Sequence, residues 1–523
     1  MNRLPALLLL VALLGGLIVV EQTRDPVSFD RSTLTAGGPL AATGMDEGST
    51  WYCTAGFSTP DGLNDHLIIV TNESDQPVQG SLTIFPSLPD TLGNSVPYER
   101  AVQPLELGPA SQQVVSLAPV VAMLDEDLAL DTGSFAAALV EFDNGGVIVE
   151  HAIVTPAGRD IGACATSAAT NWWFASGTTT NEVTYQLYLL NPFPDDAVVD
   201  VTFVTDGGIR EPTAFDGRLI PAQSLTMLDV TPVVPVWDQI TTEVRTRTGR
   251  VVAERVQLFR NDEGPVGLSL TPGVNQMSDQ WFFPAGAAVP GAAESYVIYN
   301  PNDAPAEVEF ELKPDSADRA GDIAPLGVAM GPNERWVVNV AVHPTHPVAT
   351  VATIDATTVT GRGERFFVTV RSFNGVPVVA ERVLTRPIDV GLGVAGSFGI
   401  TRASTDQTLV IPPWFEPPSE EERGQRRGEL AVLNPAGDTI SRVQVWVGGD
   451  DGATVREQAE LAPRRRAAFD LNTLLRPGDR WLRVVSSTAT MAELVVAGDD
   501  SVAVQSAVPD AGTISVPDLL SFD

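Results

Sequence analysis

Lysine is almost missing from this chain. Lys313 is the only one, and the other basic side chains are arginines and four histidines. Acidic residues number 66 against 32 Lys plus Arg, which leaves a formal net charge of −34. So negative a surface repels nucleic-acid phosphates and anionic headgroups, so nucleic acid is excluded as a partner. It suits solubility outside the cell, or the binding of divalent cations. Cysteine is just as scarce, with only Cys53 and Cys164. Long apolar runs are absent after the first twenty residues, so no later segment can span a bilayer.

Recognisable catalytic motifs are missing too. There is no Gly-x-Ser-x-Gly elbow; Gly396-Ser397-Phe398-Gly399 lacks its spacing. No glycine-rich phosphate loop opens a helix. The histidines are His66, His151, His343 and His346. Only the last two are close, and Pro344 and Pro347 prevent the helix that would present them as a ligand pair. A non-enzymatic protein without a cofactor is therefore expected. The acidic clusters are the remaining metal candidates. Asp125, Asp127 and Asp131 are weak calcium candidates, as are Asp195-Asp196, Asn261-Asp262-Glu263 and Asp450-Asp451. Loop carboxylates suit hard cations, but none of these has the twelve-residue calcium-loop spacing.

What is present begins at the N-terminus. Arg3 precedes an apolar run from Leu4 to Val20, and Glu21 and Asp25 follow it. The run is about the shortest that spans a bilayer. The charge bias puts the N-terminus in the cytoplasm and the bulk of the chain outside. No small-x-small cleavage site follows Val20, which favours an uncleaved signal anchor over a cleaved signal peptide. Outside the cytoplasm, a sparse and even cysteine count reads as one disulfide, Cys53–Cys164, closing a long loop around the first module.

A length of 523 residues is too great for one core and predicts roughly three or four domains. An internal repeat supports four. Each unit has an apolar strand that ends at Asn, a polar turn, and a second, alternating strand. The pairs are Leu67–Asn72 with Ser81–Phe85, Gln186–Asn191 with Val199–Thr205, Tyr296–Asn300 with Val308–Leu312, and Leu430–Asn434 with Val443–Val447. Asn can bond backbone two residues on, and the Pro that follows it in three units fixes φ and ends the ladder. An aromatic opens each unit: Trp51-Tyr52, Trp172-Trp173-Phe174, Trp281-Phe282-Phe283 and Trp414-Phe415. Thr248-Gly249, Asn374-Gly375 and Asn144-Gly145 read as hairpin turns near the end of a unit.

About seven short strands in roughly a hundred residues is the size of an immunoglobulin-like sandwich. The expected fold is all-β: tandem immunoglobulin-like β-sandwich modules after an N-terminal transmembrane helix. The boundaries are 1–20 for the anchor, 21–49 for a stalk, then modules at 50–166, 167–274, 275–402 and 403–523. The repeated Trp residues read as core. Trp172 and Trp173 are candidate ligand-binding residues, because neighbours on a strand face opposite ways and one of the two should face out, where it could stack on a sugar.

At these residues the chain resembles a family of uncharacterised secreted or membrane-anchored proteins of actinobacteria and related phyla, whose domain has no known function. The similar features are Trp51-Tyr52-Cys53, Cys164 shortly before Trp172-Trp173-Phe174-Ala175-Ser176-Gly177, the Leu-Leu-Asn-Pro strand end and the late Val-Val-Ala-Glu-Arg strand. The resemblance covers nearly the whole region after the stalk. The fourth module departs most, with Val504-Gln505-Ser506 in place of Ala-Glu-Arg. The resemblance implies location and architecture and no activity. The expected role is a structural or adhesive scaffold of the cell envelope, with a cell-wall polymer or an envelope protein as partner. A polysaccharide-binding protein is the first alternative, and an extracytoplasmic hydrolase built on paired acids the second.

Overall fold

The computed structural model describes residues 49–59, 64–89, 95–97, 99–124, 134–260, 264–288, 291–315, 323–341, 351–355, 365–415, 427–449 and 452–509. All belong to the unit Gly37–Asp523. The apolar run at 4–20, the stalk, the candidates Asp125, Asp127 and Asp131, the His343–His346 pair, 261–263 and 450–451 lie outside the described residues. Among the described residues no helix is long and apolar enough to cross a membrane.

The described residues are mostly strand, and their strands fall into four sets with one repeated pairing scheme. The first set has β1 (Ser49–Cys53), β2 (Asp65–Asn72), β3 (Val78–Pro89), β4 (Ser95–Pro97), β5 (Ala101–Leu107), β6 (Ser111–Ser116), α1 (Ala118–Leu124), β7 (Phe135–Phe142), β8 (Val147–Thr155) and β9 (Gly158–Ala163). One sheet runs β1-β7-β3-β5 and the other β6-β2-β8-β9, all antiparallel.

The second set has β10 (Asn171–Phe174), β11 (Val183–Asn191), β12 (Ala197–Thr205), β13 (Gly208–Arg210), β14 (Arg218–Ile220), β15 (Ser224–Asp229), β16 (Ile240–Thr248), β17 (Val252–Arg260) and β18 (Pro265–Pro272). It repeats the order as β10-β16-β12-β14 and β15-β11-β17-β18.

The third set has β19 (Gln280–Ala287), β20 (Ala293–Asn300), β21 (Ala306–Pro314), β22 (Leu326–Met330), β23 (Glu334–Ala341), β24 (Val351–Asp355), β25 (Arg365–Ser372), β26 (Val379–Ile388) and β27 (Gly391–Phe398). Its sheets run β19-β25-β21-β22 and β23-β20-β26-β27, with β24 added in parallel outside β23.

The fourth has β28 (Ser404–Val410), β29 (Arg427–Asn434), β30 (Ser441–Gly449), β31 (Gly452–Leu461), β32 (Arg465–Asp470), α2 (Leu471–Leu474), β33 (Asp479–Ala497), β34 (Val502–Ser506) and β35 (Val508–Pro509). Its orders are β28-β33-β30-β31 and β32-β29-β33-β34.

Alternation explains why these segments form strands. Along β21, Ala306, Val308, Phe310, Leu312 and Pro314 are buried while Glu307, Glu309 and Glu311 are not, the period-2 pattern of a sheet with one dry face. The two sheets of the first set bury one common cluster that includes Trp51, Ile69, Leu82, Val140 and Val149.

The repeated Asn holds each set together. Asn191 is fully buried. Its Oδ1 accepts the Phe193 N–H at 3.1 Å, the local bond expected two residues on. Its Nδ2 also donates to Asp195 O, Ile220 O and Pro221 O, so it ties its own turn to one thirty residues away. Asn300 does the same with Asn302 N, Ala304 O, Met330 O and Gly331 O. Asn434 does so with Ala436 N, Thr439 O, Leu461 O and Ala462 O. Asn72 reaches Ser74 N, Gln76 O and Gly108 O without the following Pro. Asn191→Ala strands buried carbonyls. It is expected to cost about 1–3 kcal/mol in urea unfolding; an unchanged midpoint would contradict this clamp.

The expected late hairpins are corrected. β16 and β17 lie in different sheets, as do β25 and β26, and β7 and β8. The turn between them carries the chain across the set. Gly146, Gly249 and Gly375 sit in it with φ of 80°, 79° and 74°, a conformation that glycine adopts freely. In the fourth set no break occurs: β33 is continuous, pairing with β28 and β30 early and with β29 and β34 late.

The last strands of the sets meet one another in cyclic order. Asp160 on β9 accepts the Leu270 N–H of β18 at 2.8 Å. β18 pairs in parallel with β27 at Pro265–Leu392 and Val266–Gly393. β27 packs on β34, where Leu384, Ala395, Val502 and Val504 share a cluster. β34 returns to β9, and Arg159 pairs with Asp500 at 2.8 Å just beside it.

Candidate functional site

Each meeting of two sets is centred on a buried Glu. The four are Glu150, Glu254, Glu381 and Glu493, at one register position on β8, β17, β26 and β33. All are at most 2 % exposed. An isolated buried carboxylate is costly, so each must be paired or neutral.

Between the second and third sets, Glu381 Oε2 accepts the Ser176 N–H at 2.8 Å and Oε1 pairs with Arg255 at 2.5 Å. Arg255 also donates to Ser176 O and to Thr271 Oγ1. Between the third and fourth, Glu493 Oε2 accepts the Ala285 N–H at 2.8 Å and Oε1 pairs with Arg382 at 2.8 Å. Arg382 donates in turn to Ala285 O and Ser397 Oγ. One residue of the preceding set is thus held by its carbonyl and its amide at once. The arginines lie over Phe174, Tyr185 and Phe283 at 5.6–5.9 Å, which adds cation–π attraction. Burial works against the charge on Arg255 and Arg382. The facing carboxylates, Glu381 for the first and Glu493 then Glu294 for the second, outweigh it and hold both guanidinium groups above their ordinary range.

The first junction uses histidine. Glu254 Oε2 accepts the Ala55 N–H at 2.7 Å, and Oε1 meets His151 Nε2 at 2.9 Å. His151 Nδ1 lies 2.8 Å from His66 Nε2, and His66 Nδ1 lies 2.6 Å from Ala136 O. The chain resembles a hydrolase relay in connectivity, but it is buried throughout and ends on a backbone carbonyl instead of a nucleophile. Burial, then His151, pushes His66 well below the usual imidazole range.

At the fourth junction the buried Glu faces no cation among the described residues; Arg159 and Asp500 pair beside it. The Arg position on β33 holds Leu494, and Gln505, opposite it on β34, donates to Glu150 Oε2 at 2.8 Å. The residues opposite Arg255, Arg382 and His151 are the smaller Thr271, Ser397 and Gly162. A long side chain on either strand of the pair fills the same space. Burial pushes the Glu150 carboxyl well above its usual range, against the pull of the Val410 N–H. The fourth counterpart of Ala-Glu-Arg is therefore Ala492-Glu493-Leu494, which corrects the assignment to Val504-Gln505-Ser506.

Apolar contacts surround each junction. Trp172 and Trp173 are 2 % and 7 % exposed. Trp172 packs inside the second set and donates from Nε1 to Val251 O at 2.8 Å. Trp173 does point the other way, but into the buried cluster of the third set that also holds Trp281 and Val274. The expectation that one of the pair faces solvent is corrected: the neighbouring set covers that face. The opening aromatic of the fourth set is also misplaced. Trp51, Trp172 and Trp281 pair with Val140, Val244 and Val370, and the residue paired with the matching Val484 is Gln407. Gln407 Nε2 donates to Thr490 O, standing in for the indole bonds to Val251 O and Val378 O. Trp414 lies half-buried with Arg159 over its ring.

Cys53 and Cys164 are joined, with Cα atoms 4.6 Å apart. Of the acidic candidates within the described residues, Asp196 accepts the Ala222 N–H at 2.8 Å and closes a turn. Among the described residues no group of three or more His, Cys, Asp or Glu is placed to hold a metal ion. A cleft of about 250 Å³ opens beside the junction of the third and fourth sets, lined by Ala287, Arg365, Arg386, Gly428, Glu429 and Asp470. Arg365 and Glu429 pair across it at 2.5 Å.

Residues 144–276 match the model of a family of unknown function (DUF5719). That span covers β8 to β18, including Glu150 and the whole second set. It agrees with the resemblance to an uncharacterised family. No curated protein matches the chain. Two solved structures show a distant likeness. One is a Streptomyces avermitilis alpha-L-rhamnosidase complexed with L-rhamnose, at 10% identity and a TM-score of 0.12, covering 73% of this chain and 48% of its own. The chain thus spans about half the length of that enzyme. The other is a tetra-tandem repeat from the extending region of a large adhesion protein, at 12% identity and a TM-score of 0.10, covering 84% of this chain and 93% of its own.

Proposed function

We propose that this chain, part of which matches a family of unknown function, is a non-catalytic, extracytoplasmic scaffold of the cell envelope. Its four strand sets are read as tandem β-sandwich domains of immunoglobulin-like type, anchored by the N-terminal apolar run. The observation that carries the reading is the buried Glu at every junction. Where the Glu meets Arg, as at Glu381 and Glu493, the buried pair is read as fixing the register of the two sets, which a rigid scaffold needs. The disulfide supports an oxidising compartment. The acidic surface supports a partner that is neutral or cationic, such as a cell-wall polymer or an envelope protein.

Protease treatment of intact cells tests location: digestion of the chain without lysis is expected, and complete protection would contradict it. Retention of the purified chain on isolated cell-wall polymer tests the partner. Turnover of that polymer by the chain would instead favour a hydrolase.

A further inference from the structure

We propose that the junction between the first and second strand sets is an acid-sensitive seam, opened by a second proton on the His66–His151–Glu254 relay while the two Arg–Glu junctions stay closed. The inference rests on the junction geometry and is independent of the envelope location proposed above.

The argument starts at the fixed end. Ala136 O can only accept, so His66 Nδ1 carries a proton and donates it. His66 Nε2 then accepts from His151 Nδ1–H. His151 Nε2 faces Glu254 Oε1, and one proton between them satisfies both atoms. Glu254 Oε2 is taken by the Ala55 N–H. This single arrangement uses every ring nitrogen of the two histidines. On a free lone pair of Glu254 a further proton would leave His151 a buried cation without its counter-charge. On the imidazoles it has only His66 Nε2 to occupy, where it would set an N–H against the N–H of His151 inside a buried interface. The bond between the imidazoles then breaks and a charge is left buried.

The other titratable groups near the relay do not relieve this. Asp160 on β9 is pushed well above the carboxylate range by burial, against the N–H groups of Leu270 and Ile161, with Glu254 adding to the rise. The Tyr188 hydroxyl on β11 is raised by burial, then by Asp229 and Glu254, and donates to Gln186. Asp65, the neighbour of His66 on β2, accepts from the Ala118 N–H instead. At the two Arg–Glu junctions the guanidinium keeps its proton across this range and remains as counter-charge, although burial raises the Glu493 carboxyl, against the pull of Arg382 and the Ala285 N–H.

The sign follows from linkage. His66 binds a proton less readily in the folded chain than in the unfolded one. Its contribution is present above the unfolded imidazole value of about 6.5 and is lost as pH falls below it. Glu150 has the opposite sign. Its carboxyl is raised by burial, so acid favours the closed fourth junction. Asp160, raised by burial on the first seam itself, shares the sign of Glu150 and acts against His66 there. The loosening of the first set from the second is carried by the lost bond between the imidazoles, while the fourth junction stays seated.

The Ala55, Ser176 and Ala285 amides make the same bond to Glu254, Glu381 and Glu493. Hydrogen exchange of the full-length chain compares them between about pH 5 and about pH 8, corrected for intrinsic rates. Protection of Ala55 is expected to fall roughly tenfold per pH unit below about 6.5. Ser176, Ala285 and Val410 should hold. Parallel behaviour of Ala55, Ser176 and Ala285, or an equal loss at Val410, would overturn the proposal. His66→Gln keeps a donor for Ala136 O and an acceptor for His151 but has no second proton site, so the acid step should vanish. An acid step that persists in the folded variant would also overturn it. Should the variant not fold, the comparison of amides in the native chain decides alone.

Discussion

Arg382→Leu is expected to lower the unfolding free energy by about 3–5 kcal/mol, the usual cost of removing one partner from a buried ion pair. Arg382 is fully buried. It holds Glu493 at 2.8 Å and donates to Ala285 O, and Glu294 lies 3.9 Å away. Glu294 keeps Arg386 and the Tyr296 hydroxyl, but Glu493 would retain one hydrogen bond, from the Ala285 N–H, and the more distant charge of Arg466. A second change, Glu493→Leu, removes the stranded charge, so the double variant should recover a large part of the loss. Arg382→Lys should not, because one ammonium cannot reproduce the planar fork that reaches both the carbonyl and the carboxylate. Urea unfolding of the three variants checks this. A single variant within about 1 kcal/mol of the parent would mean that the pair is solvated and does not lock the junction.

Replacing both cysteines, Cys53→Ala with Cys164→Ala, is expected to cost about 4–5 kcal/mol in the chain-entropy model for so long a loop. The bonded residues are 111 apart in sequence. Both are fully buried in the cluster that holds Trp51 and Val149. Beside them, Tyr52 and Ala165 exchange two backbone hydrogen bonds, so the bond fastens the start of the first set to the segment leading into the second. The loss should appear first in the first set, as faster exchange of β1 and β8 amides. Equal unfolding midpoints with and without the bond would contradict this role.

The repeated strands were legible because a sheet with one dry face writes its period directly into the chain, as Val308 to Leu312 does. The Asn turns were legible as local chemistry. Their second role, reaching carbonyls about thirty residues on, was not, because nothing local marks it. The late turns misled because Thr248-Gly249 and Asn374-Gly375 signal only that the chain reverses, and not which sheet receives it. Trp173 shows the same limit: its direction followed from strand geometry, but what covered it belonged to another set. Two of the four junction acids, Glu254 and Glu381, were visible within Ala-Glu-Arg yet hidden in meaning. A Glu at one register position in every set, on strands whose neighbours are otherwise apolar, was the available signal. Its partner could be found only where the cation is Arg; His151 and Gln505 occupy the place with different chemistry and, for Gln505, from a different strand.

The cyclic closure is most directly tested by a short bismaleimide on Arg159→Cys with Asp500→Cys. These side chains meet at 2.8 Å although 341 residues separate them, and both are partly exposed. The parent chain has no free thiol. Four sets that close on one another predict rapid cross-linking within a single chain, at monomer mass and independent of protein concentration. A loose tandem array predicts no reaction, or products that grow with concentration and run at twice the mass, and either outcome would contradict the account.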